Sequence, residues 1–155
     1  MASKRETVLA AVTSLVTAAL PGAEVKRNPA KAERIPPGGL VVIRDGDPGE
    51  PEVSLSPLTY LYSHRVPLEI AAYESATLTR EQVLDAMLGA IGAAVTANRT
   101  LGGLCDWIEA EAPVTDDIEA LGALPGRIAD LAILAVYATT DPLNGSTAFQ
   151  RRSGL

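Results

Sequence analysis

The chain has 155 residues, 47% of them hydrophobic and 21% charged, which fits one folded domain with a single core and argues against a disordered chain. A formal net charge of -6 and a pI near 4.8 argue against a general nucleic-acid binder, which would carry a basic face. A single cysteine excludes an intrachain disulfide and any multi-Cys metal site, and nothing points to an oxidising compartment.

Aromatic residues make up only 4% of the chain, so the core must be built from Leu, Ile, Val and Ala. Ser3 and Glu6 fit a capping box, S-x-x-E, which predicts a helix starting at Lys4. Val8, Leu9, Val12, Leu15, Val16, Ala19 and Leu20 recur at spacings of three and four and give it one apolar stripe. Pro21-Gly22 ends it. Lys4 and Arg5 ahead of the uncharged run 7–23 have the look of a secretion signal, but Glu6, Thr13, Ser14 and Thr17 break the pattern. The run is also too short and too polar for a membrane span.

Residues 23–27 make a short strand candidate. Residues 28–39 hold Pro29, Pro36, Pro37, Gly38 and Gly39, with Lys26, Arg27, Lys31 and Arg34 around them, and read as an irregular basic loop. A solvated loop is the simplest reading, a partner-binding patch the other. Residues 40–44, L-V-V-I-R, read as a strand, followed by the turn-forming run D-G-D-P-G-E-P. Residues 52–56 extend a hairpin into the segment 58–73. There Tyr60, Tyr62, His64, Val66, Leu68, Ile70 and Ala72 alternate with Ser63, Arg65, Pro67, Glu69 and Ala71, the period of two of a half-buried strand. Such a length predicts that the strand bends or changes neighbours, and Pro67, which donates no ladder hydrogen bond, marks the place.

Thr79 and Gln82 form a second capping box, T-x-x-Q, and Val83, Leu84, Met87, Leu88, Ile91, Ala94 and Val95 supply the apolar face of a helix to about Ala97. Gly89 and Gly92 inside it predict a close approach to the sheet. Residues 104–110, L-C-D-W-I-E-A, alternate as a strand. A loop with Pro113, Asp116, Asp117, Gly122, Pro125 and Gly126 leads to the run 129–139, apolar on both sides and therefore expected to be central and covered. Residues 141–155 read as a polar, mobile tail. The predicted architecture is α+β: a single domain over residues 1–140, with one mostly antiparallel sheet of about four to five strands, two helices on one face and a long β-hairpin arm.

Chemistry is sparse. His64 and Cys105 are each single, and a Cys–His pair can activate a thiolate. But both fall within predicted strands, off any nucleophile turn, where a buried Cys and a structural His are the simpler reading. No G-x-S-x-G, Walker-type, G-x-G-x-x-G or H-E-x-x-H pattern is present. The acidic cluster Asp45, Asp47, Glu50 and Glu52 fails the EF-hand spacing, with Gly49 and Glu50 at the positions where a third ligand and Gly belong. Asp106, Glu109 and Glu111 fall on both faces of one strand. Trp107, the only Trp, reads as a core or subunit-contact anchor rather than a ligand stack. The chain is expected to hold no metal and no cofactor.

Two stretches, P-L-E-I-A-A-Y (residues 67–73) and R-T-L-G-G-L-C-D-W-I-E (residues 99–109), sit in a fixed order: N-terminal helix, hairpin, extended segment, second helix, and a final strand A-I-L-A-V-Y-A-T (residues 132–139). In this order, over residues 4–139, the chain resembles the tail terminator proteins of long-tailed bacteriophages and of phage-derived gene transfer agents. The resemblance implies a structural virion protein with no catalytic signature: a homo-oligomeric ring, expected to be a hexamer, assembled in the bacterial cytoplasm. The ring would cap the last ring of the tail tube, stop its polymerisation and offer a surface to the head connector. DNA would pass through its lumen without specific binding. Arg44, Asp45, Asp47, Glu50, Glu52, Tyr60, Tyr62 and Trp107 are the expected contacts to tube or neighbouring subunit. The proline-rich basic loop and the tail 141–155 depart from the family pattern, and the tail is expected to order on assembly. A neck or head-closure adaptor and a small enzyme acting through Cys105 or His64 are the other two readings.

Overall fold

Alternation of apolar residues runs unbroken from Leu58 to Ala72, and a second apolar run ends the domain. In the computed structural model, which describes residues 2–31, 34–118 and 125–143, these two runs are the spine of one sheet. The order of elements is α1 (Lys4–Ala19), β1 (Glu24–Arg27), β2 (Leu40–Ile43), β3 (Glu52–Leu55), β4 (Leu58–Ala72), α2 (Arg80–Ala97), β5 (Trp107–Ala110), β6 (Val114–Ile118) and β7 (Gly126–Thr139). β4 and β7 pair antiparallel from Tyr60–Thr139 to Ala72–Arg127. Each carries two short strands on its outer edge: β3 and β2 along β4, β6 and β5 along β7.

The sheet therefore has seven strands and is mixed, which corrects the expectation of four to five mostly antiparallel strands. β1 runs parallel to β2. The connection between them, residues 28–39, is twelve residues long, the length a parallel crossover needs. β6, V-T-D-D-I, shows no alternation and is almost wholly exposed. It is a strand because the open edge of β7 offers it a ladder, and Asp117 is held there by Arg127 at 2.7 Å and Arg80 at 3.3 Å. The Leu104–Asp106 part of the expected fifth strand is turn and bend instead, closed by Cys105 N–H donating to the Thr100 carbonyl. Gly122, residues 144–155 and therefore most of the expected tail lie outside the described residues.

Strand alternation gives the sheet two unequal faces. One carries Val41, Ile43, Tyr62, His64, Val66, Leu68, Ile70, Ile108, Ile133, Ala135 and Tyr137, all buried. Onto it pack Val8, Val12 and Val16 of α1 and Leu84, Met87, Ile91 and Val95 of α2. Each fully buried Leu, Ile or Val here contributes on the order of 1.5–3 kcal/mol. The other face has no described helix over it and leaves Leu134, Val136 and Ala138 of β7 half-buried. β7 is thus central, as its composition demands, but covered by helices on one side only.

Both caps form, in different ways. At α2 the box is reciprocal: the Gln82 N–H donates to Thr79 Oγ1 and the Thr79 N–H to Gln82 Oε1. At α1 only half of it closes. The Glu6 N–H donates to Ser3 Oγ at 3.2 Å, while the Glu6 carboxylate turns away to Arg27.

β4 continues as one strand through Pro67 and changes its outer neighbour there. β2 ends opposite Leu68, and a bridge between Asp47 and Arg65 takes over. Gly46 makes the change possible. Its φ is +66°, and a Cβ would lie 2.3 Å from the Arg65 carbonyl oxygen and 2.8 Å from Pro67 Cδ. Gly89 and Gly92 are the reverse case: a Cβ at either meets nothing within 4 Å, so the expected close approach to the sheet does not occur.

Two substitutions check these opposite readings by urea denaturation. Gly46→Ala should lower stability by about 2 kcal/mol or more, through a left-handed backbone and a clash with backbone oxygen. Gly89→Ala, on the exposed side of α2, should raise it by about 1 kcal/mol.

Candidate interaction surface

The acidic turn after β2 is built into the fold before it reaches solvent. Arg27, in β1, grips the Glu6 carboxylate with both terminal nitrogens at 2.6 and 2.9 Å and reaches Asp45 Oδ1 through Nε at 2.8 Å. Asn28 donates to the same Asp45 oxygen at 2.7 Å and accepts the Asp45 N–H at 3.0 Å. One guanidinium thus ties α1, β1 and the start of the turn together. The Arg27 hydrogen bond holds both carboxyls, Glu6 and Asp45, below the usual carboxylate range, and the two acids in turn raise Arg27.

His64 continues this chain inward. It is 0% exposed. Its Nε2 lies 2.6 Å from the Asp45 carbonyl oxygen, which can only accept, so Nε2 carries the proton. Nδ1 then accepts from the Tyr137 hydroxyl at 2.9 Å. Burial pushes the His64 pKa below 6.5, with the Arg5 charge adding to the effect and the Asp45 carbonyl opposing it. Burial also pushes the Tyr137 phenol up to about 12. Tyr62 packs against Tyr137 with ring centroids 5.8 Å apart.

The same facts bear on the Cys–His pair. Both ring nitrogens of His64 are engaged by Tyr137 and Asp45, and neither is free to take a thiol proton. Cys105 is 4% exposed, and burial pushes its thiol up to about 11. Lys4 beside it favours the thiolate, but by less than burial opposes it. Among the described residues no three His, Cys, Asp or Glu side chains converge as a metal site would require.

Beyond the tether the hairpin leaves the core. Every residue of β3 is exposed, and the chain reverses at Ser56–Pro57. The register places Val53 with Tyr60 and Leu55 with Leu58 on one face of the hairpin, the face that further along β4 is buried by the helices. Here nothing described covers it: Val53 is 52%, Leu55 80% and Leu58 44% exposed. Asp47, Glu50 and Glu52 lie exposed at its base.

At the other end of β4, on the opposite face, Pro29, Lys31 and Ile35 of the loop stand beside β2 and leave an apolar groove of about 390 Å³. Ile35, Leu40, Val42, Ala71 and Ile128 line it, with Lys31, Arg44 and Glu69 as its charged residues. Arg44 also donates to the Pro29 carbonyl at 3.3 Å. On that same sheet face Trp107 is 44% exposed, which corrects the core reading. Arg99 lies 4.6 Å over its ring and donates to the Ile108 carbonyl.

The structure divides the residues singled out in the sequence. Asp47, Glu50, Glu52, Tyr60 and Trp107 are at least partly open to a partner, and so are Arg44, Lys31 and Arg34. Asp45, Arg27 and Tyr62 serve the fold: the first two are tied into the tether, and Tyr62 is 6% exposed. Lys26 lies in β1 with its amine 3.1 Å from Glu24. Sequence reading placed the arm 44–60 at a tube or neighbour contact but singled out none of Val53, Leu55 and Leu58 within it. Their signal was present, three large apolar residues around a Ser-Pro turn, but in a hairpin such residues are normally core.

His64 is the only histidine, the one side chain type whose ordinary pKa lies near neutrality. With its folded pKa below the unfolded value, the unfolded chain binds the extra proton first. Stability is then complete above pH 6.5 and falls as pH drops from 6.5 towards the folded pKa. Urea midpoints from about pH 7 down to pH 5 should show this slope in the native chain and not in His64→Gln. A native chain with a flat profile contradicts the assignment.

Among the described residues, no helix is long and apolar enough to cross a membrane. No protein-family model matches the chain, and no curated protein matches it.

Proposed function

We propose that this chain is a tail terminator: a ring-forming structural subunit that caps a phage-like tail tube, stops its growth and presents a surface to the head connector. One observation carries the reading. Val53, Leu55 and Leu58 form an apolar patch on a hairpin that projects from the sheet, with no described residue over it. Exposed apolar surface of this kind marks a protein contact. At its root, Arg27 and the buried His64 both bind Asp45, where the chain leaves β2 for the hairpin.

The resemblance over residues 4–139 supports the same reading from the sequence side. The two residues that could have argued for catalysis are both engaged in the core. A net charge of -6 suits a ring through which DNA slides, because phosphate attraction comes from Lys and Arg.

The test is capping. Purified chain added to growing tubes of its cognate tail-tube protein should leave short tubes with an extra ring at one end in negative-stain images. Val53→Ser, Leu55→Ser and Leu58→Ser together should abolish capping, while each shifts stability by no more than about 0.5 kcal/mol, as exposed positions do. Tubes that elongate unchanged with the native chain present, or a chain that binds the head connector and not the tube, would overturn the proposal.

A further inference from the structure

The hairpin patch and the groove over β2 are complementary, and they cannot meet within one chain. β3 pairs with β4 from Leu58 and β2 from Leu68, ten residues further on, which is about 33 Å of extended strand. They also lie on opposite faces of the sheet, because Leu58 points to the helix side while Leu40, Val42 and Ala71 point away from it. A patch at one end and face, and a receptor at the other end and face, is the arrangement of a head-to-tail contact.

Charge agrees with this placement. The hairpin carries Asp47, Glu50 and Glu52 beside its apolar residues. The groove carries Lys31 and Arg44 against one acid, Glu69, and the same loop adds exposed Arg34. Both partners therefore exist in one sequence, with opposite charge. We infer that the hairpin of one copy seats Val53, Leu55 and Leu58 in the groove formed by Ile35, Leu40, Val42 and Ile128 of the next copy, with its acids against Lys31, Arg34 and Arg44. The inference rests on the ring reading above and assigns the contact between neighbouring subunits. A heterologous contact of this type closes into a ring when its rotation closes, and otherwise continues as a filament. It commits the hairpin to the neighbour rather than to the tube.

The test uses two single-cysteine additions at positions that carry no core packing, Leu55→Cys and Ile35→Cys; the native Cys105 is buried and serves as the unlabelled control. The two full-length variants are mixed, in solution and on tubes, and treated with a short bismaleimide. A covalent dimer in the mixture, absent from either variant alone, is the expected result. In parallel, Lys31→Glu with Arg44→Glu should lose self-association, and mixing with Glu50→Lys plus Glu52→Lys should restore it. A dimer from Leu55→Cys alone would set hairpin against hairpin and overturn the inference. No cross-link in a chain whose native mass is that of a ring would overturn this contact and leave the ring reading standing. A chain that stays monomeric on its own and leaves tubes uncapped would remove both.

Discussion

The pairing of β4 with β7 is the constraint on which the molecule depends. Thirteen residues of each strand are in register, from Tyr60–Thr139 to Ala72–Arg127. That ladder fixes which side chains face the helices, because a slip of one residue would turn every side chain to the wrong face. It also creates two long outer edges, and each is covered by two short strands rather than one. The short strands have little to hold them on their own. β3 and β6 are exposed along almost their whole length. They take their conformation from the edge they lie on.

A second constraint is local and polar. The chain must leave β2, run along the outer edge of β4 and re-enter as β3 without abandoning backbone hydrogen bonds. Gly46 passes over the Arg65 carbonyl where no side chain fits, and Pro67 presents a ring where a ladder strand would have needed an N–H. Asp45 then works at three points: its carboxylate takes Arg27 and Asn28, its N–H goes to Asn28, and its carbonyl takes the buried His64. Fully satisfied polar groups of this kind hold a single arrangement, since losing any one partner strands another in low dielectric. The hairpin leaves the sheet from a root whose polar groups are all engaged.

The two constraints also decide which surfaces stay outside. The helices bury one face, and the reactive side chains go with it: His64 and Cys105 have become core. What remains open is a projecting apolar hairpin, an apolar groove with basic residues, and a sheet face bearing Trp107 under Arg99.

Amino-acid order alone determined the elements whose signal is periodic and local. Both helices begin at the expected caps, and the long alternation of residues 58–73 is β4 to within a residue. The apolar run near the end is a central strand. Tertiary structure decided whatever depends on a distant partner. β6 has no pattern of its own and exists because β7 lies beside it. The parallel pairing of β1 depends on where a twelve-residue connection lands. Glu6 left its capping role because Arg27, 21 residues away in sequence, comes within 2.6 Å and offers a charged partner. Gly89 and Gly92 face open space because the crossing of α2 over the sheet is set by Leu84, Met87, Ile91 and Val95 on its other side. Val53, Leu55 and Leu58 carry the same apolar character as core residues. Only the end of the helix layer along β4 tells which apolar residues are covered and which are left for a partner.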